Sequence, residues 1–348
     1  MKTLEKFKMA PPLVPLHVSW QIGDLMEFRG KQELFTRQVP QRLKALREHA
    51  LIESAVSSNR IEGVMVEQKR IRPLLLGVSA YKDRNEEEIA GYRKVLDLIH
   101  SEASDLPISE KNILKFHSQS RGHIWDAGKY KEKPVDIVEF LPNGERFVRF
   151  RSVSPEQTPV MMKECLVLMD ELRKDSQIHP LILLSALNLD FLCIHPFRDG
   201  NGRVSRLLLL QTCYHLGLEV GRYVSLERII EQNKDRYYET LKLSSQGWHT
   251  GQHDPWHYIS YLLFVLKQAF QEFEERVGQI QAPRGAKMDM VLSRLQTMPC
   301  EFTLQQVEMV CPGVGRDWIK SILNGLKQEG KVSCSGRGRG ARWKYHKE

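Results

Sequence analysis

The stretch that decides the fold is His195-Pro196-Phe197-Arg198-Asp199-Gly200-Asn201-Gly202-Arg203-Val204-Ser205-Arg206. An apolar helical segment, Pro180–Cys193, precedes it, and a second helical pattern, Arg203–Leu216, follows. The main-chain N–H groups that open the second helix have no intrahelical partner, and the helix dipole adds partial positive charge there. Gly200 and Gly202 allow the main chain to turn sharply and to approach a ligand closely. The stretch therefore predicts a phosphate-binding loop between two helices.

The side chains of this stretch add the chemistry of a nucleotide site. Arg203 and Arg206 are three residues apart, so they share one helix face and can grip further phosphate oxygens. Asp199 is a hard oxygen ligand suited to Mg²⁺, and Asn201 can donate to a developing phosphoryl charge. His195 titrates near neutral pH, as a general base must. A single histidine or G-x-G is more often structural, but this combination within one short loop favours a site.

Helical periodicity dominates the rest of the chain, so the predicted fold is mainly α. Lys31–Ser57 and Glu86–His100 are two of the predicted helices. One segment differs, because Val135–Phe140 and Arg146–Phe150 are short β-prone runs with the turn signal Asn143-Gly144 between them. These runs predict a β-hairpin, which is either a surface excursion or a flap over a nearby site.

The bulk composition excludes several classes of protein. The chain has 348 residues, of which 41% are apolar, so two or three folded domains are expected. The longest apolar stretches, Leu181–Ile194 and Tyr258–Phe270, are too short to span a bilayer, and Met1–Pro12 carries no apolar run. The six cysteines form no C-x-x-C pair, which is typical of free thiols in a reducing compartment. We therefore expect a cytoplasmic protein with no membrane partner.

The positive charge is concentrated at the C-terminal end. The net charge is +8, and the residues from Pro283 onward contain 12 Lys and Arg against 6 Asp and Glu. Three predicted helices there, 286–297, 303–310 and 315–329, precede a basic hairpin, which is the order of a winged-helix domain. The predicted domains are an N-terminal helical region at 1–105, a core at 106–278 and a winged helix at 284–348. If the last domain binds DNA, the expected contacts are Arg316, Lys320, Arg337, Arg339 and Arg342.

His195–Arg206 resembles the Fic motif, H-x-F-x-[DE]-G-N-G-R-x-x-R, with every specified position filled. The resemblance implies a helical Fic core that transfers AMP from ATP to a Ser, Thr or Tyr hydroxyl of a protein, with release of pyrophosphate. It also implies a role for each residue: His195 as the base, Phe197 as an anchor, Asp199 as the Mg²⁺ ligand, Gly200, Asn201 and Gly202 as the anion hole, and Arg203 and Arg206 as ligands of the outer phosphates.

A second segment, Ser58-Asn59-Arg60-Ile61-Glu62-Gly63, resembles the inhibitory motif of the same family, [ST]-x-x-x-E-[GN]. Arg206 can pair with Glu62 or with the γ-phosphate of ATP, but not with both. The resemblance therefore implies that Ser58, Glu62 and Gly63 restrain the site within the same chain.

The likeness extends less specifically from Gly30 to Phe270. It implies that Val135, Asp136, Ile137 and Val138 belong to a flap that positions the target segment by strand addition. It also places Tyr237 and Tyr238 in the adenine pocket, although two core aromatic residues on a helix are an equal alternative.

Three functions are open at this point. The first is an AMP-transferase that is restrained by Glu62 and acts on a protein substrate, which includes the chain itself. The second is the same site operating in reverse, with Glu62 orienting a water that removes AMP from a modified protein. The third is a DNA-binding regulator that acts through 284–348. The oligomeric state is also open, and a homodimer is one alternative.

Overall fold

The structure is a computed structural model that describes residues 2–346 except 39, 76, 78, 104, 141–143, 282–285, 299–300, 312–313 and 337–340. Over the described residues the fold is mainly α-helical, as the sequence predicts, with two short antiparallel sheets. The chain forms two compact units, Met1–Glu275 and Arg276–Glu348. The predicted boundary at residues 105 and 106 falls inside the first unit, and the three-part division stays a prediction.

The helices of the first unit run as follows: α1 Lys2–Met9, α2 Leu16–Gln38, α3 Pro40–Ile61, α4 Gln68–Leu75, α5 Arg84–Glu102, α6 Glu110–Arg121, α7 Thr158–Lys174, α8 Pro180–Ile194, α9 Asn201–His215, α10 Leu226–Gln232, α11 Lys234–Ser245 and α12 Trp256–Gln281. The described residues of α12 continue past Glu275. None of the helices within the described part of the chain is long and apolar enough to cross a membrane.

Helices α8 and α9 hold the predicted loop between them. Every residue of α8 from Leu181 to Ile194 is buried, so this helix is the centre of the unit. It begins at Pro180, whose missing N–H costs nothing in the first turn. It ends because His195 adopts a left-handed conformation with φ 52°. Helix α9 starts after Gly200, which has φ +83°. One residue in the left-handed conformation therefore lies at the end of α8 and another lies just before α9.

Helix α3 carries the start of the predicted inhibitory segment. The predicted helix Lys31–Ser57 falls on α2 and α3, and Val39 between them lies outside the described residues. Helix α3 packs against α5 and α10 and ends at Ile61. The chain then turns through Gly63, which has φ +82°.

The predicted hairpin is present but shorter than expected. Strands β1 Ile137–Phe140 and β2 Arg146–Phe150 pair antiparallel, with Ile137 opposite Phe150. Because β2 ends at Phe150, Val135 and Asp136 have no strand residue opposite them, which corrects the predicted start at Val135. The predicted turn residue Asn143 lies outside the described residues.

The second unit contains helices α13 Ala286–Thr297, α14 Leu304–Val310 and α15 Arg316–Gln328, followed by strands β3 Val332–Ser335 and β4 Arg342–Tyr345. The strands pair antiparallel, and Phe302 forms an isolated bridge to Trp343 of β4. Its own apolar core includes Phe302, Ile319, Leu323 and Trp343. The predicted DNA contacts Arg337 and Arg339 lie outside the described residues.

Candidate functional site

The loop between α8 and α9 is fixed by its own residues. Phe197 is fully buried, and its ring stacks on His117 with the centroids 3.8 Å apart and the planes 3° from parallel. The Asn201 side chain accepts a hydrogen bond from the Phe197 main-chain N–H (2.9 Å) and donates one to the Phe197 carbonyl (2.8 Å). The side-chain amide of Asn201 is therefore engaged with the loop. One of its two side-chain N–H groups donates in this way, and the expected contact of Asn201 with a phosphoryl group stays a prediction.

Helix α6 holds the same loop from outside through two side chains that the sequence analysis missed. The ring nitrogen Nδ1 of His117 accepts a hydrogen bond from the Gly128 N–H (2.9 Å), so Nε2 is the donor to the Asp199 carbonyl at 3.0 Å. Burial lowers the pKa of His117 to about 4, which keeps this ring neutral. Arg121, one turn further along, lies 2.9 Å from Oδ2 of Asp199. The only sequence signal was polar residues four apart on the buried face of a helix.

Arg203 is buried behind the loop in an ion cluster. Its Nη1 lies 2.6 Å from Oε2 of Glu88 on α5, and it also donates to the Asn59 side chain at 3.2 Å. Glu88 is itself buried and accepts from Arg121 at 2.7 Å, so one carboxylate serves two buried guanidinium groups. The Nε atom of Arg203 is buried without a hydrogen-bond partner in the described structure. The cluster therefore retains positive charge that an anion can neutralise.

Asp199 is the residue predicted to bind a metal. Its side chain is 56% exposed, and its Oδ1 accepts the N–H of Gly200 at 2.6 Å. Although burial raises the pKa of Asp199, the guanidinium groups of Arg121 and Arg203 hold it below the ordinary value. Within the described residues no group of three or more His, Cys, Asp or Glu side chains forms a metal site.

The predicted inhibitory segment contacts Arg206, the last arginine of the loop motif. Arg206 is buried, its Nε donates to the Ser58 hydroxyl at 2.8 Å, and its Nη2 donates to Oε1 of Glu62 at 2.8 Å and to the Ser58 carbonyl at 2.9 Å. Burial lowers the pKa of Arg206, but the Glu62 carboxylate raises it to well above the ordinary value. Gly63 forms the turn that follows Glu62, and none of these hydrogen bonds involves Gly63.

The Glu62 carboxylate also lies against the first turn of α9. A Cβ atom on Gly202 would stand only 2.2 Å from Oε1 of Glu62, so glycine is required for this approach. The start of a helix with free N–H groups is the place where a phosphate binds. Glu62 therefore supplies a negative group at the predicted anion position.

His195 stands beside this position with its ring poised to accept a proton. Its Nδ1 lies 3.3 Å from the Leu192 carbonyl. Burial, together with the charge of Lys131, lowers the pKa of His195 to about 4. The imidazole is therefore neutral at pH 7, which a general base requires.

One cavity brings together six of the predicted residues, whereas Asp199, Arg203, Arg206 and the other predicted residues of the loop and of the inhibitory segment do not line it. The residues that line it are Glu62, Ile137, Arg149, Phe150, Leu192, Cys193, His195, Gly202, Tyr237, Tyr238, Leu241 and Ser245. Of the predicted flap residues, Ile137 lines the cavity, whereas Val135, Asp136 and Val138 do not. Tyr237 is buried against Tyr258 and Tyr261, and the ring of Tyr238 is partly exposed in the cavity. Tyr237 is therefore a core residue, both tyrosines line the cavity, and their contact with adenine stays a prediction.

The fold and the site define a helical protein in which a carboxylate from its own chain lies against the first turn of α9, the helix that begins within the stretch His195–Arg206. Residues 107–213 match the model of the Fic/DOC family. The chain therefore carries a Fic domain, and the matched region contains α6, the hairpin, α8 and most of α9.

Relatives and solved structures agree with this assignment. The protein named Protein adenylyltransferase Fic from Drosophila sechellia is 23% identical over 277 residues, which cover 72% of this chain and 52% of that protein. The chain therefore spans about half of the length of this curated relative. A Fic family protein from Desulfovibrio desulfuricans G20 has the same fold, with a TM-score of 0.63 and 18% identity over 97% of this chain and 98% of that one. Fic-1 from C. elegans (residues 134–508, E274G) gives a TM-score of 0.58 at 19% identity, covering 76% and 74%.

Proposed function

We propose that this chain is a protein adenylyltransferase that transfers AMP from ATP to a Ser, Thr or Tyr hydroxyl of a protein and that Glu62 restrains it. The observation that carries the proposal is one cavity in which neutral His195 stands beside the glycine-opened start of α9. The names of the Drosophila relatives support the reaction class. ATP is the expected co-substrate, and the protein substrate is left open, with the chain itself included.

The proposed step needs one base and one anion hole. His195 removes the proton of the target hydroxyl, and the oxygen forms a bond to the α-phosphorus of ATP. The bond between this phosphorus and the bridging oxygen to the β-phosphate breaks, and pyrophosphate leaves. The main-chain N–H groups of Gly200, Asn201 and Gly202 would stabilise the developing phosphoryl charge. Arg203 and Arg206 would hold the outer phosphates by charge-assisted hydrogen bonds.

The donor set at Asp199 fits Mg²⁺, since this ion commonly takes one protein carboxylate and completes its shell with phosphate oxygens and water. The carboxylate is more than half exposed and adjoins the anion position. Asp199 would hold the ion, which would neutralise phosphate charge. Arg121 orients the Asp199 carboxylate for this role, because its guanidinium lies 2.9 Å from Oδ2.

Glu62 would restrain the reaction in two ways. It engages Arg206, which would otherwise bind the γ-phosphate, and it lies against Gly202, where phosphate oxygens would approach. A second anion at the same place is repelled. Ser58 would assist by fixing the guanidinium of Arg206 in the paired position.

The rest of the cavity would select the two substrates. Tyr237 and Tyr238 would contact the adenine, and the hairpin would position the target segment beside Ile137 and Val138 by strand addition. Val135 and Asp136 would guide the segment into the strand from the loop that precedes it.

The test uses the full chain with labelled ATP and Mg²⁺, with transfer to protein as the readout. We expect weak labelling by the wild type, strong labelling by Glu62→Gly and none by Glu62→Gly combined with His195→Ala. Glu67→Gly is the matched control, because Glu67 also lies outside a helix and pairs only with exposed lysines. The wild-type level is expected for it. A silent Glu62→Gly variant that binds ATP contradicts the proposal, and mass spectrometry identifies the modified residue.

The reverse reaction is the alternative use of the same groups. Glu62 is close enough to the anion position to orient a water toward a bound phosphodiester. Incubating an AMP-modified target with wild type and Glu62→Gly separates the two. Faster AMP release by the wild type favours removal, and faster transfer by the variant favours the proposed direction.

The second unit supports a winged-helix module as a separate proposal. Helix α15 presents Lys320, Asn324 and Lys327 along an open groove, whose other side includes Gly336 and Ala341 of the hairpin. Arg316 also lines the groove but is paired with Glu308 at 2.8 Å, which weakens its predicted role on DNA. Arg342 is exposed, and its Nη1 lies 3.9 Å from Oε2 of Glu301. The predicted DNA partner, the homodimer and the cytoplasmic location remain proposals.

Binding of the full chain to duplex DNA, measured by fluorescence anisotropy over a range of salt concentrations, tests this module. Each lysine that contacts a phosphate contributes about one unit to the slope of log K against log salt. Lys320→Ala with Lys327→Ala is expected to weaken binding and reduce the slope, whereas Lys115→Ala on α6 leaves both unchanged. Absence of binding at low salt excludes DNA as the partner.

A further inference from the structure

One buried lysine, which the sequence motifs do not include, contacts the loop that carries His195. Lys131 lies between α6 and the hairpin and is 4% exposed. Its Nζ donates to the Ser152 hydroxyl at 2.8 Å, to the Ile194 carbonyl at 3.0 Å and to the His195 carbonyl at 2.8 Å. A lysine ammonium has three N–H donors, so each donor has one acceptor.

The same residue is bound to the loop through its main chain. The Lys131 N–H donates to the Pro196 carbonyl at 2.9 Å. Three successive carbonyls, those of residues 194, 195 and 196, thus accept hydrogen bonds from one residue that lies 63 or more positions away. A contact of this kind fixes the orientation of each peptide plane in the turn.

That turn is conformationally costly. Among the described residues His195 is the one non-glycine residue with a positive φ, at 52°. A left-handed conformation costs an L-residue about 1–2 kcal/mol, so surrounding contacts must maintain it. The carbonyls at the end of α8 carry the negative end of the helix dipole, and a cation beside them is favourable.

We propose that Lys131 is the positioning residue for His195: its ammonium group holds the carbonyls of Ile194 and His195 and so keeps the left-handed turn that aims the imidazole into the cavity. The inference rests on the proposed role of His195 as the base. Lys131 acts through His195 and does not touch the substrates.

The charge of Lys131 has a second consequence for the base. After burial, this charge is the next largest influence that lowers the pKa of His195, whereas Glu62 and Asp199 face the ring and raise it. Asp136 faces Lys131 and raises its pKa, but burial outweighs this and lowers it to about 8. Above that pH the neutral amine has two donors for three acceptors, so the turn loosens.

The kinetic test uses the full chain in the Glu62→Gly background. Lys131→Met is expected to lower kcat about tenfold or more while KM for ATP changes less than about threefold, because a misaligned base affects the chemical step more than nucleotide binding. Lys131→Arg is expected to restore most of kcat and to remove the fall in rate above pH 8, since arginine does not titrate there. Lys129→Met is the matched control, because Lys129 is an exposed lysine of the same segment, and it should behave as the parent.

A readout independent of activity separates this inference from the proposed function. The His195 ring is titrated by NMR in the wild-type chain, with His195→Ala assigning the signal. Lys131→Met should shift the pKa of His195 upward from about 4, and Lys129→Met should not. If the ring titrates as in the wild type and kcat is unchanged, the inference is overturned. If Glu62→Gly is inactive but the pKa still shifts, the proposed function fails and the positioning role stands.

The folding of the variants is checked by urea unfolding. If Lys131→Met does not fold, Lys131→Arg decides the question. Both the fall in rate above pH 8 and any shift of the His195 ring signal in that range should disappear in Lys131→Arg. If either persists unchanged in this variant, the inference is overturned.

Discussion

Glu62 and Arg206 lie 144 positions apart in the sequence, and their side chains meet at 2.8 Å between Oε1 and Nη2. The guanidinium is buried, whereas the carboxylate side is 26% exposed. The buried guanidinium of Arg206 therefore needs a negatively charged partner, whereas the carboxylate of Glu62 is exposed enough to move into solvent. Such a pair suits a switch, because a nucleotide phosphate offers Arg206 the same charge-assisted bonds.

Breaking this pair should cost stability in the absence of nucleotide. Glu62→Gln is expected to lower the free energy of unfolding by about 1 kcal/mol, a value reduced for the partial exposure of Glu62 and for the Ser58 bonds that Arg206 keeps. Urea unfolding measures the change. Glu67→Gln removes only solvent-exposed pairs and should leave the stability nearly unchanged. An equal loss of unfolding free energy in the two variants would show that the Glu62–Arg206 pair contributes no more stability than an exposed ion pair.

The conformation of Gly200 should be intolerant of a side chain. Its φ is +83°, and an added Cβ would lie 2.9 Å from Cδ of Arg121, so Gly200→Ala is expected to destabilise the chain by about 1–3 kcal/mol. It should also displace Arg121 from Asp199 and weaken ATP binding. Gly30→Ala is the control, because Gly30 lies in α2 with open space around it and alanine should stabilise the helix by about 0.5–1 kcal/mol. Calorimetric unfolding with and without ATP checks both, and a neutral Gly200→Ala variant would contradict this account.

The loop from His195 to Arg206 could be located from the sequence because all of its chemistry lies in one short segment. The helical class, the hairpin and the order of elements in the second unit could also be predicted, since each has a local pattern.

The supports of the loop could not be predicted, because they depend on contacts between distant segments. His117 is 82 positions from Asp199, and Glu88 is 115 positions from Arg203. Nothing in the composition of α5 or α6 distinguishes these side chains from solvated ones. Asn201 has a further role that its type did not indicate, since its side-chain amide holds the loop through two hydrogen bonds to the main chain of Phe197.

The stack of Phe197 on His117 should contribute strongly to stability. Phe197→Ala is expected to lower the free energy of unfolding by roughly 3–5 kcal/mol, because a fully buried ring leaves a cavity. Phe197→Leu should cost less, about 1–2 kcal/mol, as it retains most of the volume. The control is Phe147→Ala in β2, whose ring is 49% exposed. Urea unfolding of the three variants gives the order, and a cost for Phe197→Ala as small as that for Phe147→Ala would mean that the ring does not anchor the loop.

Three histidines with lowered pKa values, one buried and two partly buried, should make the chain lose stability in mild acid. Burial lowers the pKa of His117 and of His195 to about 4 and that of His100 to about 3, against 6.5 in the unfolded chain. The unfolded state therefore binds more protons as the pH falls below 6.5, and the native state does not bind them until about pH 4. Each histidine contributes about 1.4 kcal/mol of lost stability per pH unit once its unfolded form is protonated. Urea unfolding between pH 4.5 and 7 should show this slope, and His117→Gln should reduce it. His123→Gln is the control, since His123 is fully exposed and its replacement should leave the slope unchanged. A wild-type stability that is flat across this range would mean that these three rings accept protons as readily as exposed ones.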